Sequence, residues 1–357
     1  MRIGLIAPPW VPVPPVGYGG TEIVVDNLAR GLQALGHDVR LFTVGDSTSP
    51  VWRDSLYPTA VTPIGMTVPE AAHVLAAYEA LVDADVIHDH TVLGPLVAGR
   101  RPTDHPPVVA TNHGPFTMQS RRIYAEASKH AWIVAISHAQ ARSSGGIPIA
   151  AVIHHGIDLD LYRPGPGDGG YLLFMGRMCA AKGVHLAVRV AKRAGWQLVL
   201  VTKIWEPDER AYFDHEVRPL LEPGDEMPAE QPLARRVELL RGARALLNPI
   251  QWPEPFGLVM AEALASGTPV LAFPNGSAPE IVEPGRTGYL CEDEDEMVAA
   301  IEAVGTIKRA DCRSAAERRF SMARMARDHE RLYRRLLEER DPKPDEQPRV
   351  GERRLSA

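Results

Sequence analysis

Trp252-Pro253-Glu254-Pro255-Phe256-Gly257-Leu258-Val259-Met260-Ala261-Glu262-Ala263 lies between two short apolar runs, residues 245–248 and 269–273. Both runs read as buried strands, because each is too short and too flanked by turn residues for a helix. Pro255 biases Glu254 away from the α region, so Glu254 belongs to a loop. The helix then starts near Phe256 or Gly257 and runs to Ser266, with Gly267 as its terminator. Strand, loop, helix and strand make a β-α-β unit, which requires parallel strands with helices packed on the sheet faces.

The same alternation continues in both directions. Strands at 171–175 and 197–201, with helices at 184–194, 259–265 and 294–304, complete a C-terminal series. An N-terminal series has strands at 3–6, 39–44, 86–87, 107–110, 132–136 and 151–153, with helices at 22–35 and 69–81. Tyr162-Arg163-Pro164-Gly165-Pro166-Gly167-Asp168-Gly169-Gly170 is the clearest linker between the two. This α/β pattern predicts two Rossmann-like domains, residues 1–163 and 164–320, facing one another across a cleft. Ligands of such sheets sit beyond the carboxyl ends of the strands. No strand is placed in the acidic, proline-interrupted stretch 220–232. Residues 310–340 are helical and arginine-rich; acidic residues interleave with the arginines, so the residue pattern alone favours a solvated face over a lipid or nucleic-acid surface. Residues 341–357 read as a disordered tail.

The 357 residues suit two domains of ordinary size. Hydrophobic residues at 45% and charged residues at 24% exclude a largely disordered chain. A net charge of −6 leaves no global basic field for nucleic acid. Cys179, Cys291 and Cys312 are far apart and lack CxxC spacing, which argues against a disulfide framework and for a reducing cytoplasm. The N-terminus has no signal-peptide pattern, and no apolar run is long enough for a membrane span.

Three segments carry candidate chemistry. Gly17-Tyr18-Gly19-Gly20-Thr21-Glu22 places Glu22 where a dinucleotide fingerprint needs its third glycine, which disfavours NAD. Gly19 and Gly20 still let a ligand approach backbone at a helix start, although a plain flexible loop fits this segment equally well. Gly176-Arg177-Met178-Cys179-Ala180-Ala181-Lys182-Gly183 lacks the Walker A Ser/Thr after its lysine. Arg177 and Lys182 are both in reach of one anion there, and surface charge is as good a reading of this turn alone. In the opening stretch, Glu254 precedes a helix and Glu262 lies roughly 8 Å along it. The amides of Phe256, Gly257 and Leu258 lie between the two carboxylates. Carboxylates that accept hydroxyl hydrogens, flanking amides that hold phosphate, suit a nucleotide sugar. His88-Asp89-His90 reads as a strand-end histidine pair lining the cleft, with His88 and His90 available to an acceptor. No third ligand makes a zinc site of it, and no metal is expected.

These motifs together resemble the retaining glycosyltransferases of family 4, over nearly the whole chain. The E-x7-E signature from Glu254 to Glu262 carries the resemblance, with Gly19-Gly20-Thr21-Glu22, Thr111-Asn112-His113-Gly114, Gly176-Arg177 and Lys182-Gly183 beside it. Gly276-Ser277-Ala278-Pro279-Glu280-Ile281-Val282 and Gly285-Arg286-Thr287-Gly288 complete it. The resemblance implies a GT-B fold whose C-terminal helix, residues 321–340, crosses back to the first domain and packs there through residues 326–337. It implies that Arg177 and Lys182 neutralise the donor diphosphate, that Glu262 bonds the ribose, that Glu254 bonds the transferred sugar, and that His113 lies near the anomeric centre. The Gly19-Gly20 and Phe256-Gly257-Leu258 backbones belong to the same donor site. His154-His155-Gly156-Ile157-Asp158 falls on the interdomain turn and is given a structural role. Asp158-Leu159-Asp160 imitates a metal motif of another transferase fold by coincidence.

The expected activity is transfer of a hexose from a nucleoside-diphosphate sugar, UDP-linked ahead of GDP-mannose, to a hydroxyl, without metal or cofactor. Same-face displacement fits best, since no carboxylate stands out as a nucleophile. The acceptor is expected to be a soluble sugar, a polysaccharide or a natural product. A nucleotide-sugar epimerase or a non-catalytic nucleotide-sugar-binding subunit are the competing readings. Lys182→Ala and Glu262→Ala are each expected to abolish donor binding or transfer while circular dichroism shows the fold intact; wild-type turnover in either variant overturns the site assignment.

Overall fold

The computed structural model of the chain describes residues 1–17, 19–100, 105–222, 225–227 and 230–340. The tail expected at 341–357 lies outside them. Seven strands build the first sheet: β1 (Arg2–Ile6), β2 (Asp38–Thr43), β3 (Trp52–Ser55), β4 (Val86–Asp89), β5 (Val108–Thr111), β6 (Trp132–Ala135) and β7 (Ile149–Val152). Their spatial order is β3-β2-β1-β4-β5-β6-β7, every pairing parallel. The second sheet contains β8 (Tyr171–Arg177), β9 (Gln197–Lys203), β10 (Leu246–Asn248), β11 (Val270–Ala272) and β12 (Gly288–Leu290), in the order β12-β11-β10-β8-β9, again parallel throughout. The order reverses between β1 and β4 in one sheet and between β8 and β10 in the other. Crevices open at such switch points, and here the two crevices face each other.

Two strands differ from the sequence reading. β3 is an edge strand with the polar sequence Trp-Arg-Asp-Ser, three of its four residues exposed, so no apolar run announces it. β12 has only three residues, Gly-Tyr-Leu, pairing on β11. Among its described residues, the stretch where no strand was placed pairs with the sheet through Glu226, which bridges β9, its amide bonding Leu198 O and its carbonyl accepting from the Leu200 amide. The helix after β10 is also shorter than expected. It spans Leu258–Ala265, because Gly257 takes a left-handed φ of 79° and caps it from outside.

The segment read as a linker is pinned along the second domain. Gly165, Gly167 and Gly169 donate backbone hydrogen bonds to Ser266, Arg241 and Gly242. The Arg309 guanidinium bonds Gly165 O at 2.7 Å, Ala243 O at 3.0 Å and Thr268 Oγ1 at 2.7 Å. The chain passes between the domains at two other points, which lie side by side. Ile157 donates to Phe320 O at 2.6 Å, and Met322 donates back to Ile157 O at 3.0 Å.

After the second passage, the helix Met322–Arg340 lies on the first domain. Met325, Ala326, Leu332, Tyr333 and Leu336 are buried with Val24, Leu28 and Leu32 of the helix Gly20–Ala34 and with β1. Not all of the arginines that suggested a solvated helix face solvent: Arg324 bonds His154 O at 2.6 Å and His155 O at 3.1 Å, and Arg335 bonds Ala150 O at 2.9 Å. Close approach is possible because Gly31 has no side chain: a Cβ there would stand 2.8 Å from that of Ala326. Gly31→Leu is therefore expected to force the crossing helix outwards and destabilise the protein by about 1–3 kcal/mol, read from denaturant unfolding. An unchanged midpoint would show that the helix is not packed there.

Candidate active site

Every loop of interest leaves the carboxyl end of a strand and enters one cavity of about 350 Å³ between the domains. The first domain contributes Gly17, Gly19, Gly20 and Thr21 after β1, His113 after β5, and His155 after β7. The second contributes Gly176 and Lys182 after β8, Lys203 at the end of β9, and Glu254 to Val259 after β10. Two helix N-termini thus look into the cavity from opposite walls, at Gly20 and at Leu258. They are close: a Cβ on Gly20 would be 3.6 Å from the Leu258 side chain. The amides of a first helical turn lack intrahelical partners and carry the positive end of the helix dipole, which suits a phosphate placed between them.

Lys182 reaches the cavity because Gly183 makes a left-handed turn, φ 71°, against Pro249, where a Cβ would sit 2.0 Å from the Pro249 carbonyl. The ammonium is mostly buried and pairs with Glu254 Oε2, over the Trp252 ring at 5.5 Å. Trp252 Nε1 donates to the same oxygen at 2.8 Å. The Glu254 backbone is clamped in turn by Gly276 and by the Ser277 amide, which donates to Glu254 O at 3.0 Å. Cation and anion thus hold each other in the free protein, and an incoming phosphate would compete with the carboxylate for the ammonium.

Glu262 lies in the cavity wall, 9% exposed, and accepts from the Tyr162 hydroxyl at 2.9 Å. Burial pushes its carboxyl up, while the Arg236 charge and the Tyr162 hydroxyl hold it down. Arg236 also lines the cavity and donates to Gly17 O across the cleft at 3.3 Å.

Not every residue singled out from the sequence meets the cavity. Arg177 closes β8 and turns to Glu209, Nε to Oε1 at 2.8 Å, and its side chain is 44% exposed. It does not line the cavity. Lys203, one strand over, lines it instead and rests 3.5 Å over the Trp205 ring. The two are register partners on neighbouring strands, and Arg177 is drawn off by Glu209 of the helix Pro207–Tyr212. His88 is corrected more sharply. It has no exposed surface, and both ring nitrogens are engaged, with the Tyr333 hydroxyl at 2.6 Å and Thr111 Oγ1 at 2.7 Å. No acceptor can touch it. His90 is also buried, 2.9 Å from the ring of His113.

His155 was given a structural role, yet it lines the cavity and stacks on His113, ring centroids 5.2 Å apart and planes 21° apart. Phe256 packs edge-on behind His155 at 5.0 Å. Burial pushes His113 down to about 3 and His329 to about 4, and drives His88, His90 and His155 well below the usual imidazole value. The column of rings is neutral at physiological pH. Tyr162, Arg236, Lys203 and His155 went unread as site residues. Lys203 could have been found from its place at a strand's carboxyl end; the others meet the cavity only through tertiary packing.

Comparison with known proteins agrees with this geometry. The family model described as Glycosyltransferase Family 4 matches residues 18–161, and the one described as Glycosyl transferases group 1 matches residues 164–319. The crystal structure of AviGT4, a glycosyltransferase involved in avilamycin A biosynthesis, is 30% identical, with a TM-score of 0.73 over 94% of this chain and 98% of that one. The chain belongs to glycosyltransferase family 4. Its paired parallel sheets are the GT-B fold, and the expected recognition from the E-x7-E signature holds. D-inositol 3-phosphate glycosyltransferase of Mycobacterium avium is 31% identical over 195 residues, which is 50% of this chain but only 44% of that protein, so the match spans less than half of that relative. The structure of Anabaena HepE in complex with UDP and glucose is 19% identical, with a TM-score of 0.75 over 94% of this chain and all of that one, a likeness of fold. Among the described residues of this family 4 chain, no helix is long and apolar enough to cross a membrane.

Proposed function

We propose that the protein transfers a hexose from a nucleoside-diphosphate sugar to an acceptor hydroxyl with retention of configuration, and that the donor is UDP-linked. One observation carries the reading: a single interdomain cavity joins an ammonium and two helix N-termini at one place to buried carboxylates and a neutral histidine at others. The diphosphate lies between Gly20 and Leu258, drawing Lys182 away from Glu254. Glu262 accepts hydrogens from the ribose hydroxyls. Glu254, released, bonds hydroxyls of the transferred sugar, next to His113. Lys203 adds positive charge where Arg177 was expected to do so. HepE, with UDP and glucose in its crystal structure, supports a uridine donor through shared fold.

In the reaction the bond from the anomeric carbon to the leaving phosphate oxygen breaks, and a bond to the acceptor oxygen forms on the same face. The acceptor proton passes to the departing phosphate oxygen, so that no carboxylate nucleophile is required. The two helix N-termini already point where that oxygen gains charge, so these fixed dipoles stabilise it without reorganising, and Lys182 joins them once the diphosphate has drawn it from Glu254. Closure of the two domains on the donor would keep out water, which otherwise competes as acceptor. A soluble sugar, polysaccharide or natural-product hydroxyl is the proposed acceptor, no metal or cofactor takes part, and the reaction is placed in the cytoplasm.

Thermal-shift screening of nucleotide sugars tests the donor: a UDP-sugar at about 100 times its Kd is expected to stabilise the fold by about 2.7 kcal/mol, raising Tm by several degrees. No shift with any nucleotide sugar, or sugar isomerisation without transfer to any acceptor, overturns the proposal. A second test uses pH. Ionised Glu262 accepts from ribose more strongly than the neutral acid, so UDP affinity is full above its raised pKa and weakens as pH falls through it. Tyr162→Phe removes a group that holds this pKa down. Calorimetric titration of UDP from about pH 8 to about pH 5 is therefore expected to show the acidic loss at higher pH in the variant. Coincident curves would remove Glu262 from the ribose.

A further inference from the structure

His113 does not line the cavity alone. Its Nε2 is 2.9 Å from Nδ1 of His90, and one hydrogen serves both nitrogens. His90 is 5% exposed and does not reach the cavity. Its other nitrogen, Nε2, is buried without a hydrogen-bond partner among the described residues. Nor is the ring free to turn and find one. It lies against His88 with centroids 4.1 Å apart, and His88 is itself fixed from two sides by Tyr333 and Thr111.

A neutral imidazole has one N–H, so two arrangements are possible. If His113 donated from Nε2, His90 would accept at Nδ1 and carry its own hydrogen on Nε2, facing nothing. A buried N–H without an acceptor is among the rarest features of folded proteins and costs about 1–3 kcal/mol. If instead His90 donates from Nδ1, its Nε2 is a bare lone pair, a vacancy that interiors tolerate more readily. The hydrogen of His113 then sits on Nδ1, the nitrogen left for the cavity. His155, stacked on the other face, keeps the ring in plane.

We propose that His90 is a positioning residue that fixes His113 as the Nδ1–H tautomer, so that His113 meets the transferred sugar as a hydrogen-bond donor. Its partner is a lone pair on a hydroxyl or ring oxygen of the donor hexose. The nature of that partner rests on the proposed transfer reaction; the tautomer does not. Burial, which drives both rings well below the usual imidazole range, removes the cation as a third form.

Long-range proton–nitrogen NMR of the ligand-free protein, labelled with ring nitrogen-15 histidine, tests the tautomer directly. His113 is assigned by the signal lost in His113→Asn. At neutral pH the expected spectrum has its Nδ1 protonated and its Nε2 bare. His90→Leu is expected to populate the Nε2–H form, whereas in His90→Asn the amide nitrogen takes the place of Nδ1 and the Nδ1–H form persists. An Nε2–H or doubly protonated His113 in the wild-type protein overturns the proposal, as does an unchanged tautomer in a folded His90→Leu. If that variant does not fold, the wild-type and His90→Asn spectra still decide. In transfer assays His90→Leu is expected to lower kcat at least about 10-fold with UDP affinity unchanged, and His90→Asn to recover most of the loss. Loss of UDP affinity in step with kcat would mark a merely structural role. A protein that transfers no sugar yet shows the Nδ1–H tautomer overturns the transfer reading and leaves this inference standing.

Discussion

A parallel sheet has two unequal ends, and everything at the cleft follows from that inequality. Right-handed crossovers return each chain segment to the amino end of the next strand, so the loops leaving the carboxyl ends are free to vary. With two such sheets facing each other, the loops after β1, β5 and β7 meet those after β8, β9 and β10. The loops after these six strands place Gly20, His113 and His155 opposite Lys182, Glu254 and Glu262, although more than 200 residues of sequence separate Gly20 from Glu262.

Charge in that space is arranged economically. Burying an ammonium alone would be costly, and the free protein avoids this by pairing Lys182 with Glu254 beneath the Trp252 indole. The pair and the indole N–H fix the direction in which both side chains point. Among the described residues lining that space, the first domain contributes no acidic side chain, lysine or arginine. Its contribution is a helix N-terminus, whose partial positive charge suits an anion, and a neutral histidine column that orients without charge.

Much of this was legible in the sequence, and the failures have physical reasons. The β-α-β alternation is visible because strands buried on both faces must be continuously apolar, and Gly267 and Gly36 mark helix ends by chemistry that needs no partner. β3 escaped because an edge strand needs no apolar run. Glu254, Glu262, Lys182 and the Gly19-Gly20 turn were found because each sits in a local pattern whose backbone geometry is set by its neighbours. Arg177 turned away because Glu209, in the helix Pro207–Tyr212 that follows β9, takes its guanidinium, a tertiary contact with no local signature. His88 looked like a cleft residue for the same reason that it is not one: strand-end position is readable, but Tyr333, 245 residues away, is not.

That distance has a consequence for how the molecule comes into being. The first domain, whose strands leave the ribosome early, lacks part of its own interior until Met325, Ala326, Tyr333 and Leu336 have been synthesised and docked. The nascent chain must therefore carry an open hydrophobic seam along the helix Gly20–Ala34 throughout translation of the second domain. The helix Met322–Arg340 acts as a keystone: the first lobe is completed only after the second has been made.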